Sequence, residues 1–409
     1  MSEAPGSFFA AETLQDPHPF YAWLRREAPV WRVPETGHWL VARHADVRSV
    51  CLEPETFSSR LAAVVTRDES GAVRLLDTGI ASTPKGSVLG VADGAEHARH
   101  RQTVSRAFAP RRMRELEGVV RAIASECVDA CLRAREVDLV RDLARPVPAR
   151  LMAAMLGLPR EDDGRLQVWS DAAISLMGAL PSRERIERNH RLVAELEGYL
   201  EEKLDEALCA PGEDVIGDLA RLALAGRGQG LSRDEAQGVL YQLVVGGSET
   251  TVGLLASALR FAATLPGMAE RLRAAPDEIP AFVEEAVRID PPGLGNYRRT
   301  TRAVELGGAA LPPGATLALL WASANRDESE FPDPDRFVLH RPNIKAHLGF
   351  GHGTHFCLGA AVARMETRIA LEELLARAAR LRIAVPPEEL RFVPSVFVRR
   401  LEALPAEVG

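Results

Sequence analysis

The stretch Leu348-Gly-Phe-Gly-His-Gly-Thr-His-Phe-Cys-Leu-Gly-Ala-Ala-Val-Ala-Arg364 carries the most chemistry in this sequence. Gly349, Gly351 and Gly353 alternate ahead of Cys357, and a helix-forming run follows it. Glycines let a backbone bend tightly and approach a flat partner closely. Peptide N–H groups at the start of the following helix favour a thiolate over a thiol. A thiolate so placed is either a nucleophile or a soft metal ligand. The small residues Gly359, Ala360, Ala361 and Ala363 leave room for a broad planar group against the helix. A cysteine nucleophile would need a histidine oriented by Asn or Asp, and the sequence announces none. The other cysteines (Cys51, Cys127, Cys131 and Cys209) form no CxxC pair and no zinc-ligand spacing. They read as small buried apolar residues of a reduced, intracellular protein.

A second stretch, Leu243-Val-Val-Gly-Gly-Ser-Glu-Thr-Thr-Val252, lies midway along a long helical pattern. Gly246 and Gly247 together cost about 2 kcal/mol of helix propensity relative to alanine. Such a breach marks a functional site or a close helix–helix contact through small residues. Two weaker signals are Glu285-Ala-Val-Arg288, opposite charges three apart, and His97-Ala-Arg-His-Arg101, one helical turn apart. Alone, each reads as a solvated face.

In this order the motifs resemble the cytochrome P450 family, the haem-thiolate monooxygenases. Phe350-Gly-His-Gly-Thr-His-Phe-Cys357-Leu-Gly359 is similar to the family's haem-binding signature. The resemblance implies a haem b whose iron is bound by Cys357, with Phe350, Gly351 and Gly359 shaping the loop around it. A thiolate ligand pushes electron density onto iron and favours O–O cleavage. Gly246 and Gly247 would open room for dioxygen. Glu249 and Thr250 would be the acid–alcohol pair, the hydroxyl donating a hydrogen bond and the carboxylate relaying protons. His97, Arg101, Arg298 (or Arg299, one register away) and His355 would contact the haem propionates. Glu285, Arg288 and Arg341, the last favoured over Arg336, would form a structural triad on the haem side of the core.

The same resemblance assigns substrate contacts to Leu89 and Val91, to Leu243 and Val244, to Leu294 and Asn296, and to Val396 and Phe397. They are mainly apolar, which implies a lipophilic small molecule such as a terpenoid, steroid, fatty acid or polyketide. The implied reaction inserts one oxygen atom of O2 into a C–H bond or epoxidises an alkene. No flavin or iron–sulfur segment is visible, so electrons would come from a ferredoxin served by an NAD(P)H-dependent ferredoxin reductase. A basic docking face is expected from Arg99, Arg106, Arg111, Arg112, His352 and Arg364. Two rivals are a peroxide-driven haem-thiolate enzyme and a non-enzymatic haem sensor.

The elements that must position these residues are mostly helical. Apolar residues recur at three- and four-residue spacing over 113–135, 185–208, 234–265 and 360–380. Short strands are predicted over 30–33 and 39–43, over 304–311 as a hairpin, and over 391–404 as a last pair. Residues 57–94 and the Pro291-Pro-Gly-Leu-Gly-Asn-Tyr-Arg-Arg299 segment resist assignment and read as walls of a site. No repeat or linker divides the chain, so the expectation is a mainly α fold with a small β part, a single haem domain over 1–409. The net charge, 50 − 57 = −7, argues against a protein that coats nucleic acid. No signal peptide is visible, and the most apolar stretches run about half the length a bilayer span needs. A cytoplasmic monomer with no membrane partner is the expectation.

Overall fold

The computed structural model describes residues 4–61, 63–67, 72–77, 79, 85–178, 183–226 and 230–409. Long helices form the bulk of it, at Pro110–Arg133, Asp163–Gly178, Arg183–Cys209, Arg233–Thr264 and Ala360–Arg377. The Arg233–Thr264 helix is central: it packs against seven other α-helices, against the Val140–Ala144 turn and against the Leu381–Ile383 strand. Its start is fixed by a capping box, in which Ser232 Oγ accepts from Glu235 N and Glu235 returns a carboxylate to Ser232 N. The glycines at 246 and 247 do not interrupt it; the helix runs unbroken through all 32 residues. Tertiary packing on both sides outweighs the propensity cost. This is also the one described helix long and apolar enough to cross a bilayer, and 67% of its most apolar window is buried.

A five-stranded sheet stands to one side, in the order Val30–Arg32, Trp39–Val41, Thr316–Leu319, Asn296–Thr300, Phe57–Ser58. The Val30–Arg32 and Trp39–Val41 strands form the expected antiparallel hairpin. Val304–Leu306 and Ala309–Leu311 form the second one. The C-terminal pair differs from expectation. Over 391–404 only isolated bridges form, Phe392 with Leu401 and Gly293 with Val398, and the strand proper is Pro405–Val408, between Leu381–Ile383 and Val137–Asp138. The 57–94 segment is not wholly irregular, since Ala63–Arg67 pairs with Val73–Asp77.

One apolar cluster fills the helical part and two smaller ones line the sheet. A fourth joins Leu254 of the central helix, Val287 of the Ile279–Ile289 helix, Phe350 of the cysteine loop and Ala360 of the cysteine helix. That small cluster ties together the elements bearing the acid–alcohol pair, the Glu-x-x-Arg motif and the cysteine.

Candidate functional site

The cysteine loop closes on itself. Cys357 N donates to Phe350 O at 2.8 Å, and Gly351 N donates to Leu348 O at 2.8 Å. Gly351 and Gly353 both have positive φ, 72° and 67°. At Gly353 any side chain is also excluded by contact, because a Cβ would lie 2.6 Å from Cys51 O of the His44–Leu52 helix. Arg364 stacks its guanidinium 4.3 Å from the Phe350 ring centroid and pairs with Glu284. The result presents Cys357 as an exposed thiol at the start of the Ala360–Arg377 helix.

The thiol itself departs from expectation. Gly359 and Ala360 N–H groups and the charges of Arg101 and Arg364 do pull its pKa down, but the protein packed around it outweighs them and pushes it up. The helix start alone does not make the thiolate; a bound metal cation would, since coordination deprotonates a thiol outright.

Four cationic or imidazole groups gather beside the loop. The His97 and His355 rings lie 4.1 Å apart, centroid to centroid. Burial, then Arg298, His97 and Arg101, bring His355 down to about 3. His97 is lowered by burial and by Arg101. Arg298, 4% exposed, is held by the sheet register opposite Leu317 and donates to Tyr297 O at 2.7 Å. Arg299 turns the other way and bonds Asp77 at 2.7 Å, so Arg298 is the arginine that stands near His97 and His355. Asp93 is within electrostatic reach of His97 and Arg298, but its carboxylate is engaged by Ser58 Oγ and Ser59 N. Such a set suits the two carboxylates of a protoporphyrin.

The central helix, which meets the cysteine loop and cysteine helix through Leu254, Phe350 and Ala360, carries Gly246 and Thr250. Gly246 is exposed, and Thr250 Oγ1 donates back to Gly246 O at 2.8 Å. Added Cβ atoms at Gly246 and Gly359 would meet no protein atom within 4 Å. These two cradles, the exposed thiol and the cationic set fit a flat, dianionic, thiolate-bound haem. Gly247 does something else: its Cβ would lie 2.5 Å from Met152 Cε, so it is small because a neighbouring helix packs there.

Glu249 is 3% exposed, and Arg400 Nε donates to its Oε1. Burial and the nearby Asp171 carboxyl push its pKa up to about 8, against the pull of Arg400. Glu285 accepts from Arg288 Nε and Nη2, both at 2.8 Å, and from Arg341 Nε at 3.1 Å. Arg336 gives only its carbonyl, to both arginines.

The pocket residues divide. Asn296, Val396 and Phe397 line one small cavity with Phe8, Tyr297 and Leu320. Leu89, Val91 and Leu243 are part-exposed. Val244 is fully buried in the helical core and Leu294 in the sheet-side core, so neither is brought to the site. A step of one residue turns a helix by about 100°, and Leu243, Gly246 and Thr250 share the site's face while Val244 does not. Of the basic residues expected on a docking face whose side chains are described, Arg99 is tied to Glu235 at the central helix start, Arg111 to Glu115, Arg112 to Asp218 and Arg364 to Glu284. The side chain of Arg106 lies outside the described residues. Three residues went unnoticed in the sequence: Arg400, Asp171 and Gln242. Gln242 clasps the 88–90 turn, accepting from Gly90 N at 3.2 Å and donating to Val88 O at 2.9 Å. Leu89, within that turn, has φ 41°.

The sequence model of the cytochrome P450 family matches residues 58–378. The chain is a cytochrome P450. It is 35% identical over 405 residues to Cytochrome P450 144 of Mycobacterium tuberculosis, covering 99% of this chain and 92% of that protein. It is 35% identical over 397 residues to the Erythromycin C-12 hydroxylase of Saccharopolyspora erythraea, covering 96% and 93%. Among solved structures, the cytochrome P450 CREJ in complex with (4-ethylphenyl) dihydrogen phosphate superimposes with a TM-score of 0.89 at 28% identity, covering all of both chains. As a cytochrome P450 it is a monooxygenase with haem as its cofactor, held through a cysteine thiolate. The fold is the one expected, mainly helical with small sheets.

Proposed function

We propose that this P450 hydroxylates, or epoxidises, a lipophilic small molecule, using O2 and two electrons delivered singly by a ferredoxin with its NAD(P)H-dependent reductase. The carrying observation is an exposed Cys357 at the end of a closed glycine loop, together with an exposed Gly246 and the Thr250 hydroxyl one turn on along the central helix. Haem bound at Cys357 would supply dioxygen reduction and oxygen transfer. The chain's own residues do the rest. Cys357 would hold the iron, while Arg101 and Arg298 would neutralise the propionates and the neutral imidazoles of His97 and His355 would orient them as hydrogen-bond donors. Thr250 would turn its hydroxyl from Gly246 O toward the haem face, and Glu249 would hold and release a proton. The Glu285–Arg288–Arg341 triad fixes the Ile279–Ile289 helix beneath the site.

The apolar character of Leu89, Val91, Leu243, Val396 and Phe397, with Asn296 as one polar contact, supports a lipophilic substrate. The likeness to a protein named Erythromycin C-12 hydroxylase supports a polyketide-derived one. With the basic residues near the loop largely matched by acids, the electron donor would dock over the exposed Leu52 and Phe356, with exposed Arg48 beside them. A cytoplasmic, monomeric enzyme with neither a nucleic-acid nor a membrane partner completes the proposal. The test is turnover of a panel of macrolides, steroids and terpenoids with a ferredoxin–reductase pair under 18O2. One labelled oxygen in the product supports the reading, and product formed only with added peroxide overturns the electron route.

A further inference from the structure

Gln242 grips one residue from both sides. Its Oε1 accepts from Gly90 N at 3.2 Å and its Nε2 donates to Val88 O at 2.9 Å. That carbonyl and that N–H belong to the two peptide groups flanking Leu89, so the carboxamide fixes their relative rotation. Leu89 sits at φ 41°, in the left-handed region that costs a non-glycine residue free energy. A leucine side chain has no polar atom with which to hold such a turn itself. Just upstream the chain rests directly on the same helix, since a Cβ at Gly238 would collide with Lys85 O. Val88 is fully buried in the helical core. Gly238, Gln242, Gly246 and Thr250 follow one another at four-residue intervals on the central helix, each about 40° round from the last. The gripped turn therefore lies on the row that leads to Gly246 and Thr250.

We propose that Gln242 is a positioning residue for ligand binding: its carboxamide holds Leu89 in a strained conformation, as a wall of the ligand space beside Gly246. This rests on the reading of Leu89 and Val91 as substrate contacts.

Both halves of the amide are used. Glutamate at 242 would keep an acceptor for Gly90 N but turn only oxygens toward Val88 O, and leucine would keep neither bond. Asparagine would be shorter by one methylene. The turn also has hydrogen bonds of its own: Val91 N donates to Val88 O at 3.0 Å, and Ala92 N to Leu89 O at 3.1 Å. What Gln242 adds is therefore the conformation at Leu89 and not the existence of the turn. Without the grip, Leu89 relaxes toward negative φ and its side chain swings out of place. A wall held ready costs an arriving ligand no ordering, whereas a relaxed wall must be ordered on each binding event. A ligand small enough to sit on the iron alone does not reach the wall and is indifferent to it.

The test uses the haem-loaded protein and three variants, Gln242→Leu, Leu89→Gly and the double substitution. Hydrogen exchange over residues 85–92 reads the grip without turnover. It should quicken about tenfold in Gln242→Leu, as two neutral hydrogen bonds are lost. Imidazole and clotrimazole both bind haem iron through a ring nitrogen, and the Soret band follows the release of each. Clotrimazole, bulky enough to meet the wall, should dissociate about tenfold faster from Gln242→Leu, while imidazole should dissociate at the native rate. Glycine at 89 takes this φ without strain and has no side chain to place, so adding Gln242→Leu to Leu89→Gly should change the clotrimazole rate little. Faster exchange with an unchanged clotrimazole rate would overturn the positioning role, and unchanged exchange would overturn the grip itself. Equal acceleration of both azoles would mean a general loosening of the site and would overturn the role as well. If Leu89→Gly alone leaves clotrimazole untouched, the underlying reading of Leu89 as a ligand contact fails first.

Discussion

Replacing Glu285 with glutamine should destabilise the protein by about 3–5 kcal/mol, the range for breaking a buried ion pair and stranding its partners. Glu285 is fully buried, as is Arg288, and Arg341 is 5% exposed. The carboxylate receives both prongs of the Arg288 fork, Arg341 Nε at 3.1 Å and Val338 N at 2.9 Å. One anion thus faces two buried cations. Backbone carbonyls of Asn325, Pro334, Pro332 and Arg336 accept their remaining N–H groups. Glutamine preserves the shape but takes the local charge from one net positive to two, and it turns an N–H2 group toward a guanidinium. For a chain of 409 residues unfolding with an entropy of about 2.1 cal/mol/K per residue, the loss corresponds to a fall in Tm of about 4–6 °C. Urea unfolding followed by far-UV circular dichroism gives the free energy, and a thermal scan on the haem Soret band gives Tm. Arg341→Lys keeps the charge but loses the fork, and should cost less. A loss under 1 kcal/mol for Glu285→Gln would refute the claim that the triad holds this side of the core.

Thr250→Ala should keep the haem and the thiolate spectrum but divert most electrons to peroxide, read as peroxide per NADPH; coupling equal to the native protein would remove Thr250 from proton delivery. Arg298→Met should leave folding intact while speeding haem transfer to an acceptor apoprotein by about tenfold, as one charge-assisted contact of about 1.5 kcal/mol is lost. Burial raises Glu366 from the ordinary value near 4.5 to about 8. The unfolded chain loses this proton first, so the native state binds more protons between about pH 4.5 and 8, and stability falls as pH rises through that window. Glu366→Gln removes the effect, so the variant should match the native protein near pH 4.5 and exceed it by about 3–5 kcal/mol at pH 8. Unfolding midpoints of the pair at several pH values read the difference, and parallel profiles would count against a buried neutral acid.

Much of the site could be read from residues close together in sequence. The cysteine loop, the acid–alcohol pair and Glu285 with Arg288 are local motifs, and the central and cysteine helices begin within a residue of their expected starts. What escaped is what only folding brings together. Arg400 lies 151 residues from Glu249, and nothing near either one announces the other. Asp171 reads as an ordinary polar position on an amphipathic helix. The resemblance assigns Leu243 and Val244 together, but adjacent residues lie about 100° apart round a helix, and Val244 faces the core. The hairpin at Ala63–Arg67 and Val73–Asp77 was hidden because Gly, Ser and Asp around it signal loop more strongly than its short strands signal sheet. The raised pKa of the Cys357 thiol is not legible in the sequence, because helix-end N–H groups show in a sequence pattern whereas the surroundings that outweigh them do not.

Iron X-ray absorption of the purified, haem-loaded protein is the most direct measurement. A single sulfur scatterer at a bonding distance of about 2.3 Å, present in the native chain and lost in Cys357→Ser, is the expected result. A first shell of nitrogen and oxygen alone in the native chain, or a sulfur that persists in Cys357→Ser, would contradict it.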